Sequence, residues 1–238
     1  MKLQELLDSW YLPLKPILES ADFKSIGAFL VKEQNEGRPV TPTFDNIFRA
    51  FKECPYHDLK VVIVGQDPYP GTVLPLNQVA DGIAFSARTS PKPPKSLTYI
   101  LKALEEDCFD GFDLNVSTMT DLTHWANQGI LMLNTALTTQ LGEIGKHMEI
   151  WKPFTTRLLT HLNDTHNGIV YVFLGKPAQK FIPLISETRN YILTASHPSH
   201  ANYTGGTWEH GKLFSRVNTV LKDLNRFEVK WSNSTLVQ

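Results

Sequence analysis

Four places in this 238-residue chain put chemically active side chains directly after a short apolar run. They are Gly65-Gln66-Asp67-Pro68-Tyr69, Asn134, Gly175-Lys176 and Thr194-Ala195-Ser196-His197-Pro198-Ser199. Open α/β sheets bind ligands beyond the carboxyl ends of their strands. If the runs are parallel neighbours, a carboxylate, an amide and an imidazole converge on one crevice. Carboxylate and imidazole together support acid–base and charge-stabilising chemistry, and the amide adds paired donor and acceptor recognition. Taken singly each residue has an ordinary use: Asp67 before proline suits an Asx-turn, Asn134 a helix cap, His197 a hydrogen-bonded structural position, and Gly65 and Gly175 tight turns. Their occurrence together at four run ends argues for a site.

The elements that must position these groups are legible. Val61–Val64, Ile130–Leu133, Ile169–Leu174 and Tyr191–Leu193 read as buried strands of a mainly parallel sheet, separated by helical segments. Leu97, Ile100, Leu101 and Leu104 fall at helical spacing, with Ser96 expected to cap that helix. Trp151, Phe154, Leu158 and Leu162 repeat the pattern, as do Leu213, Phe214, Val217, Val220, Leu221 and Leu224. Helices are also expected through Phe23–Leu30 and Phe44–Phe51, the latter with Phe44, Ile47, Phe48 and Phe51 on one face. Such stripes are core. The expected architecture is α/β, one domain over 1–238, with a central four-stranded sheet flanked by helices. Ser90-Pro91-Lys92-Pro93-Pro94-Lys95-Ser96 reads as a stiff extended loop carrying two cations, fit to grip a ligand with little entropy lost.

Composition narrows the function class. With 42% hydrophobic residues the chain can bury a full core. Cys54 and Cys108 are too few for a disulfide framework, and no Cys-x-x-Cys or His-x-x-x-His spacing offers a metal site, so no metal and no cofactor are expected. No apolar run reaches membrane-spanning length and Met1 to Trp10 lacks a signal-peptide core, which points to a cytoplasmic protein with no membrane partner. No Gly-x-Gly-x-x-Gly or Walker loop follows a strand, which removes the usual nucleotide-binding enzymes. The net charge of −1 lacks the basic surplus of many nucleic-acid binders. A local basic face can still be drawn from Arg88, Lys92, Lys95, Lys176, Lys180, Lys212 and Arg216 in or beside loops.

Five ordered motifs, spread over roughly residues 40 to 232, resemble those of family-1 uracil-DNA glycosylases. Gly65 to Tyr69 is similar to that family's water-activating loop, and Gly82-Ile83-Ala84-Phe85-Ser86 to its uracil-stacking segment. Pro91 to Ser96 resembles its proline-rich DNA clamp, Leu131-Met132-Leu133-Asn134 its uracil-reading strand end, and His197-Pro198-Ser199 its catalytic histidine loop. The resemblance implies the uracil-DNA glycosylase fold and base excision from DNA by a monomer. It assigns Asp67 and His197 to catalysis, Gln66, Tyr69, Phe85 and Asn134 to uracil, and Pro94, Ser96, Lys176 and Ser199 to the DNA backbone. The implied partners are uracil-containing DNA and a proteinaceous inhibitor in the DNA groove. Three positions depart from the pattern. Pro70 stands where histidine is usual and leads into a long Gly71 to Leu76 connection; Lys176 follows Gly175 where serine is common; and the leucine wedge falls near Ala201, leaving His200 or Tyr203 to fill a flipped base's gap. The alternatives are a superfamily member with altered base specificity and a catalytically silent DNA-binding accessory protein.

Overall fold

The computed structural model describes residues 2–73, 76–109 and 118–232. Among the described residues the helices are α1 (Leu3–Leu7), α2 (Tyr11–Leu18), α3 (Ala21–Asn35), α4 (Arg49–Glu53), α5 (Lys95–Cys108), α6 (Thr123–Ala126), α7 (Met148–Thr165), α8 (Lys176–Gln179) and α9 (Leu213–Asp223). The strands are β1 (Val40–Thr41), β2 (Val61–Gly65), β3 (Ile130–Asn134), β4 (Thr139–Gln140), β5 (Val170–Leu174) and β6 (Tyr191–Ala195).

The four expected runs form one sheet of order β3-β2-β5-β6, parallel throughout. Apart from the edge strand β6, their side chains are almost wholly buried. That is why they read as continuous apolar runs rather than alternating ones. Register sets the strand ends side by side: Gly65 pairs with Asn134, and Leu174 with Ala195. The chain leaves β2 toward β3 on one side and leaves β5 toward β6 on the other. The crevice at this topological switch point opens between the ends of β2 and β5, where Gln66 and Asp67 emerge. Around the sheet α5 packs with α9, while α2 and α3 pack with α7. One hydrophobic cluster joins these layers, and all four residues of the Trp151 to Leu162 stripe lie in it.

Two local expectations are corrected. Phe44–Phe51 is not one helix: a 3₁₀ turn over Phe44–Asn46 and helix α4 are separated at Phe48. The carbonyl of Asn46 is turned against Gly82, where a Cβ would sit 1.8 Å away, and Ala50 donates its N–H to Gly82 O at 3.3 Å instead of continuing the helical ladder. Phe44 is consequently exposed while Ile47, Phe48 and Phe51 are buried. Ser96 does not cap α5. Pro94 occupies that position, its carbonyl accepting Thr98 N–H at 2.9 Å, and Ser96 falls inside the first turn. A proline before the first helical residue gives up no N–H bond, and this releases the serine hydroxyl from capping.

The longer connection after Tyr69 begins with a bridge between Thr72 and Asn77; Leu74 and Pro75 lie outside the described residues. A two-residue antiparallel ribbon, β1 with β4, pairs Val40 with Gln140 and Thr41 with Thr139.

Candidate active site

A cleft of about 260 Å³ opens at the carboxyl edge of the sheet, lined by Gln66, Asp67, Tyr69, Phe85, Ser96, Asn134, His197 and Ser199 among others. Ligand clefts commonly measure ~300–1,000 Å³, so this one suits a single ring rather than a dinucleotide. Two sequence-expected residues, Pro94 and Lys176, are not in its wall; Lys176 is exposed at the start of α8.

Asp67 emerges from β2 with its carboxylate turned toward the loop between β4 and α7. Gly145 donates its N–H to Asp67 Oδ2 at 2.6 Å. Burial raises the carboxyl pKa above its ordinary value, and the Gly145 N–H and the Gln66 side chain oppose that rise. Among the described residues, the carboxylate bonds across to Gly145 rather than closing an Asx-turn on its own loop. Behind it, Gln66 O accepts Thr135 Oγ1 at 2.6 Å and Ala136 N–H at 3.2 Å, which locks the exits of β2 and β3 together. Gly65 is required by close approach: a Cβ there would lie 2.7 Å from Asn134 Oδ1 and 2.9 Å from the Phe85 ring. The glycine thus lets amide and aromatic ring reach the same wall.

Phe85 sits at φ 65°, a left-handed conformation that a bulky side chain adopts only when its surroundings impose it. Tyr69 helps impose it, donating its hydroxyl to Phe85 O at 3.0 Å. Burial raises the Tyr69 pKa, so the phenol stays protonated and keeps that donor. The Phe85 and His197 rings face the same space, with centroids 5.8 Å apart and planes inclined at 44°.

His197 follows β6 and has a defined tautomer. The Ser199 backbone N–H points at His197 Nδ1 at 3.2 Å, and the Ser199 hydroxyl lies 2.7 Å from the same nitrogen. A backbone N–H can only donate, so Nδ1 accepts and the imidazole proton sits on Nε2. Burial lowers the pKa below the ordinary histidine range, which keeps the ring neutral. Gly175, at φ 88°, passes so close that a Cβ would stand 2.8 Å from His197 Cβ.

Sequence reasoning missed the Leu141–His147 loop. It supplies the Gly145 N–H, and it places Ile144, 71% exposed, in the cleft wall. The available signal was Gly142 and Gly145 between an apolar run and a helix, which marks a turn but not what the turn holds. The wedge question is narrowed by burial. Ala201 is fully buried, whereas His200 is exposed and Tyr203 is 85% exposed on the 3₁₀ segment that follows His197. Among the described residues, no group of three or more His, Cys, Asp and Glu is placed to hold a metal ion, and no helix is long and apolar enough to cross a membrane.

Comparison with known proteins places this arrangement. The model of the uracil DNA glycosylase superfamily matches residues 51–224. The uracil-DNA glycosylase of Coxiella burnetii (strain RSA 493 / Nine Mile phase I) is 37% identical over 225 residues, covering 94% of each chain. That of Clostridioides difficile (strain 630) is 36% identical over 227 residues, covering 94% of this chain and 96% of the other. The crystal structure of mimivirus uracil-DNA glycosylase superposes with a TM-score of 0.87 at 27% identity, covering 98% of this chain and 90% of that one. A variant of the mimivirus protein, solved in complex with UGI, gives 0.87 at 28% identity over 98% of this chain and 92% of that one.

Proposed function

This chain belongs to the uracil DNA glycosylase superfamily, and from that membership we propose that it is a uracil-DNA glycosylase, hydrolysing the N-glycosidic bond of a uracil flipped out of DNA and leaving an abasic site. The observation that carries this reading is the convergence of Asp67, Asn134, Phe85 and His197 from separate elements on one single-ring cleft.

The groups divide the work by charge. Loss of the base leaves an oxocarbenium-like sugar and a uracil anion, so charges of both signs need stabilising. Asp67, ionised, faces the sugar and orients the water whose oxygen bonds to C1′ as the bond to N1 breaks, and the carboxylate accepts the proton that this water sheds. The electron pair departs with uracil. His197 donates from Nε2–H to the 2-oxygen of that anion, and a neutral imidazole is sufficient for this. The Asn134 amide donates to the uracil 4-oxygen and accepts from its 3-NH. Cytosine presents a 4-amino group and a bare ring nitrogen and leaves both unpaired. Phe85 stacks on the base, and Tyr69 stands at its 5 position, where a thymine methyl would clash. Gln66 shapes the wall between them.

Flipping costs a few kcal/mol of unstacking and unpairing. Ser96, Ser199 and the Pro94 segment offset it by gripping phosphates, and Lys176 adds a charge at the rim. Ala201, at the expected wedge position, is buried and too short, and of the exposed His200 and Tyr203 the bulkier tyrosine, 85% exposed, is taken to fill the gap in the stack. We read the working form as a monomer acting in the cytoplasm. A proteinaceous inhibitor would engage the DNA groove; a variant of the mimivirus relative is solved in complex with UGI.

The test is incubation with EDTA of matched oligonucleotides carrying one uracil, thymine, cytosine or hypoxanthine, followed by alkali. Strand cleavage at uracil alone is expected. Cleavage at hypoxanthine or thymine would establish altered specificity, and binding without cleavage would establish an accessory role.

A further inference from the structure

Beneath the stacking ring lies a buried ion pair with no part in the chemistry described so far. Asp81 is 2% exposed and Arg49 5% exposed, and Arg49 Nη1 stands 3.0 Å from Asp81 Oδ2. The Asp81 carboxylate also accepts Ile83 N–H at 3.1 Å on Oδ1, and the Ser86 hydroxyl at 2.7 Å and Arg88 N–H at 2.9 Å on Oδ2. Three of its four donors therefore belong to residues 83–88, the stretch that carries Phe85, and the fourth comes from α4. Arg49 is itself fixed from outside this segment by Asp121, Thr123 and Glu53.

This geometry does what a stacking residue at φ 65° needs. A bulky non-glycine residue in that conformation is strained and relaxes unless its neighbours over-determine it. Donors on both flanks of Phe85 close onto one carboxylate, so relaxation of residue 85 would have to break charge-assisted hydrogen bonds inside a dry interior. Tyr69 holds the Phe85 carbonyl from the cleft side, while Asp81 holds the backbone on either side of it from beneath.

We propose that Asp81, braced by Arg49, is a positioning residue for substrate recognition: it sets the backbone of residues 83–88 so that the Phe85 ring is presented flat to the flipped base before DNA arrives. The inference rests on Phe85 stacking on uracil as read above, and it separates two parts of that segment. Phe85 touches the base; Asp81 acts only through it.

A double-mutant cycle tests this at a temperature where circular dichroism and thermal melts report every variant folded, with single-turnover cleavage at saturating enzyme and the uracil inhibition constant as readouts. Phe85→Ala should weaken uracil inhibition and slow cleavage. Asp81→Asn removes the charge opposite Arg49 and, in either amide orientation, sets an NH₂ against at least one of the four donors, and should slow cleavage by about tenfold in the native background, the scale of coupling within one hydrogen-bond network. In the Phe85→Ala background the same change should cost less than about twofold. Equal losses in both backgrounds would assign Asp81 a merely structural part and overturn the proposal while leaving the stacking role intact. No loss from Phe85→Ala alone would remove the stacking role and the proposal with it. If Asp81→Asn does not fold, Ser86→Ala, which deletes one of the carboxylate's donors beside Phe85, takes its place in the cycle with the same expectations.

Discussion

Ser199 turns its backbone N–H onto Nδ1 of His197, and this single contact decides which ring nitrogen carries the proton. Nε2–H is the only donor the neutral ring has left, and burial keeps the ring neutral to lower pH than an ordinary histidine. Asp67 is shifted the opposite way, its pKa raised by burial. On the proposed mechanism Asp67 acts ionised, so activity is full above its raised pKa and is lost as the pH falls through it. The acid limb of the single-turnover rate should therefore have a midpoint above the ordinary aspartate value. His197→Gln should lower the rate by on the order of 10²–10³-fold while keeping that limb, the cost typical of removing one preorganised donor. A limb that disappears in His197→Gln would assign the titration to the histidine.

The same burial predicts a trade between stability and rate at Asp67. A carboxyl whose folded pKa is raised binds its proton more tightly in the folded state. Its ionisation therefore costs stability; the cost is absent below the unfolded pKa, grows between the two values and is complete above the folded one. Asp67→Asn should melt at the same temperature or higher than the native chain near pH 7, with no advantage at strongly acid pH, while cleavage falls by roughly 10³-fold or more. A lower melting temperature at pH 7 would show that the bond from Gly145 outweighs the desolvation of the charge.

On the proposed mechanism Tyr69 adds a steric task to its hydrogen bond with Phe85 O, and two variants separate them. Tyr69→Ala opens the 5 position and should release thymine from DNA, a reaction the native chain is expected to refuse. Tyr69→Phe keeps the bulk but loses the bond to Phe85 O, so thymine should still be refused while uracil cleavage slows by about tenfold or less, the scale of one neutral hydrogen bond. Unchanged thymine rejection in Tyr69→Ala would move the gate elsewhere.

Tyr203 is expected to matter where there is a stack to invade. Tyr203→Ala should slow cleavage of uracil in duplex DNA by about tenfold and in single-stranded DNA by less than about twofold, because only the duplex leaves a gap to fill. Equal effects on both substrates would make the tyrosine a general contact rather than a wedge.

Three strands were readable because burial on both faces makes them unbroken apolar runs, and the edge strand β6 by its shorter Tyr191–Leu193 run; the candidate site was readable because Asp67, Asn134 and His197 lie within four residues of the ends of these runs. What stayed hidden depends on partners far away in sequence. The break at Phe48 arises from Gly82 pressing on Asn46 O, and nothing in the periodicity of Phe44, Ile47, Phe48 and Phe51 signals it. Ser96 has a capping residue's chemistry, yet Pro94 two positions earlier already starts the helix. The Gly145 N–H is a main-chain group, and no residue type advertises where a backbone donor will point.

The small ribbon of β1 and β4 has a consequence for where this enzyme begins. Thr139 in that ribbon receives Lys146 N–H at 3.2 Å and gives its hydroxyl to Glu143 O at 2.6 Å, while Pro39 O accepts Leu141 N–H at 2.8 Å. The loop that delivers Gly145 to Asp67 is thus moored to residues 39–41, which precede the family-matching segment 51–224 by ten positions. A chain trimmed to the shared segment would retain every side chain assigned to uracil yet lose the mooring of the amide that steadies its carboxylate. Family likeness marks out the chemistry here, and the functional unit extends past its edge.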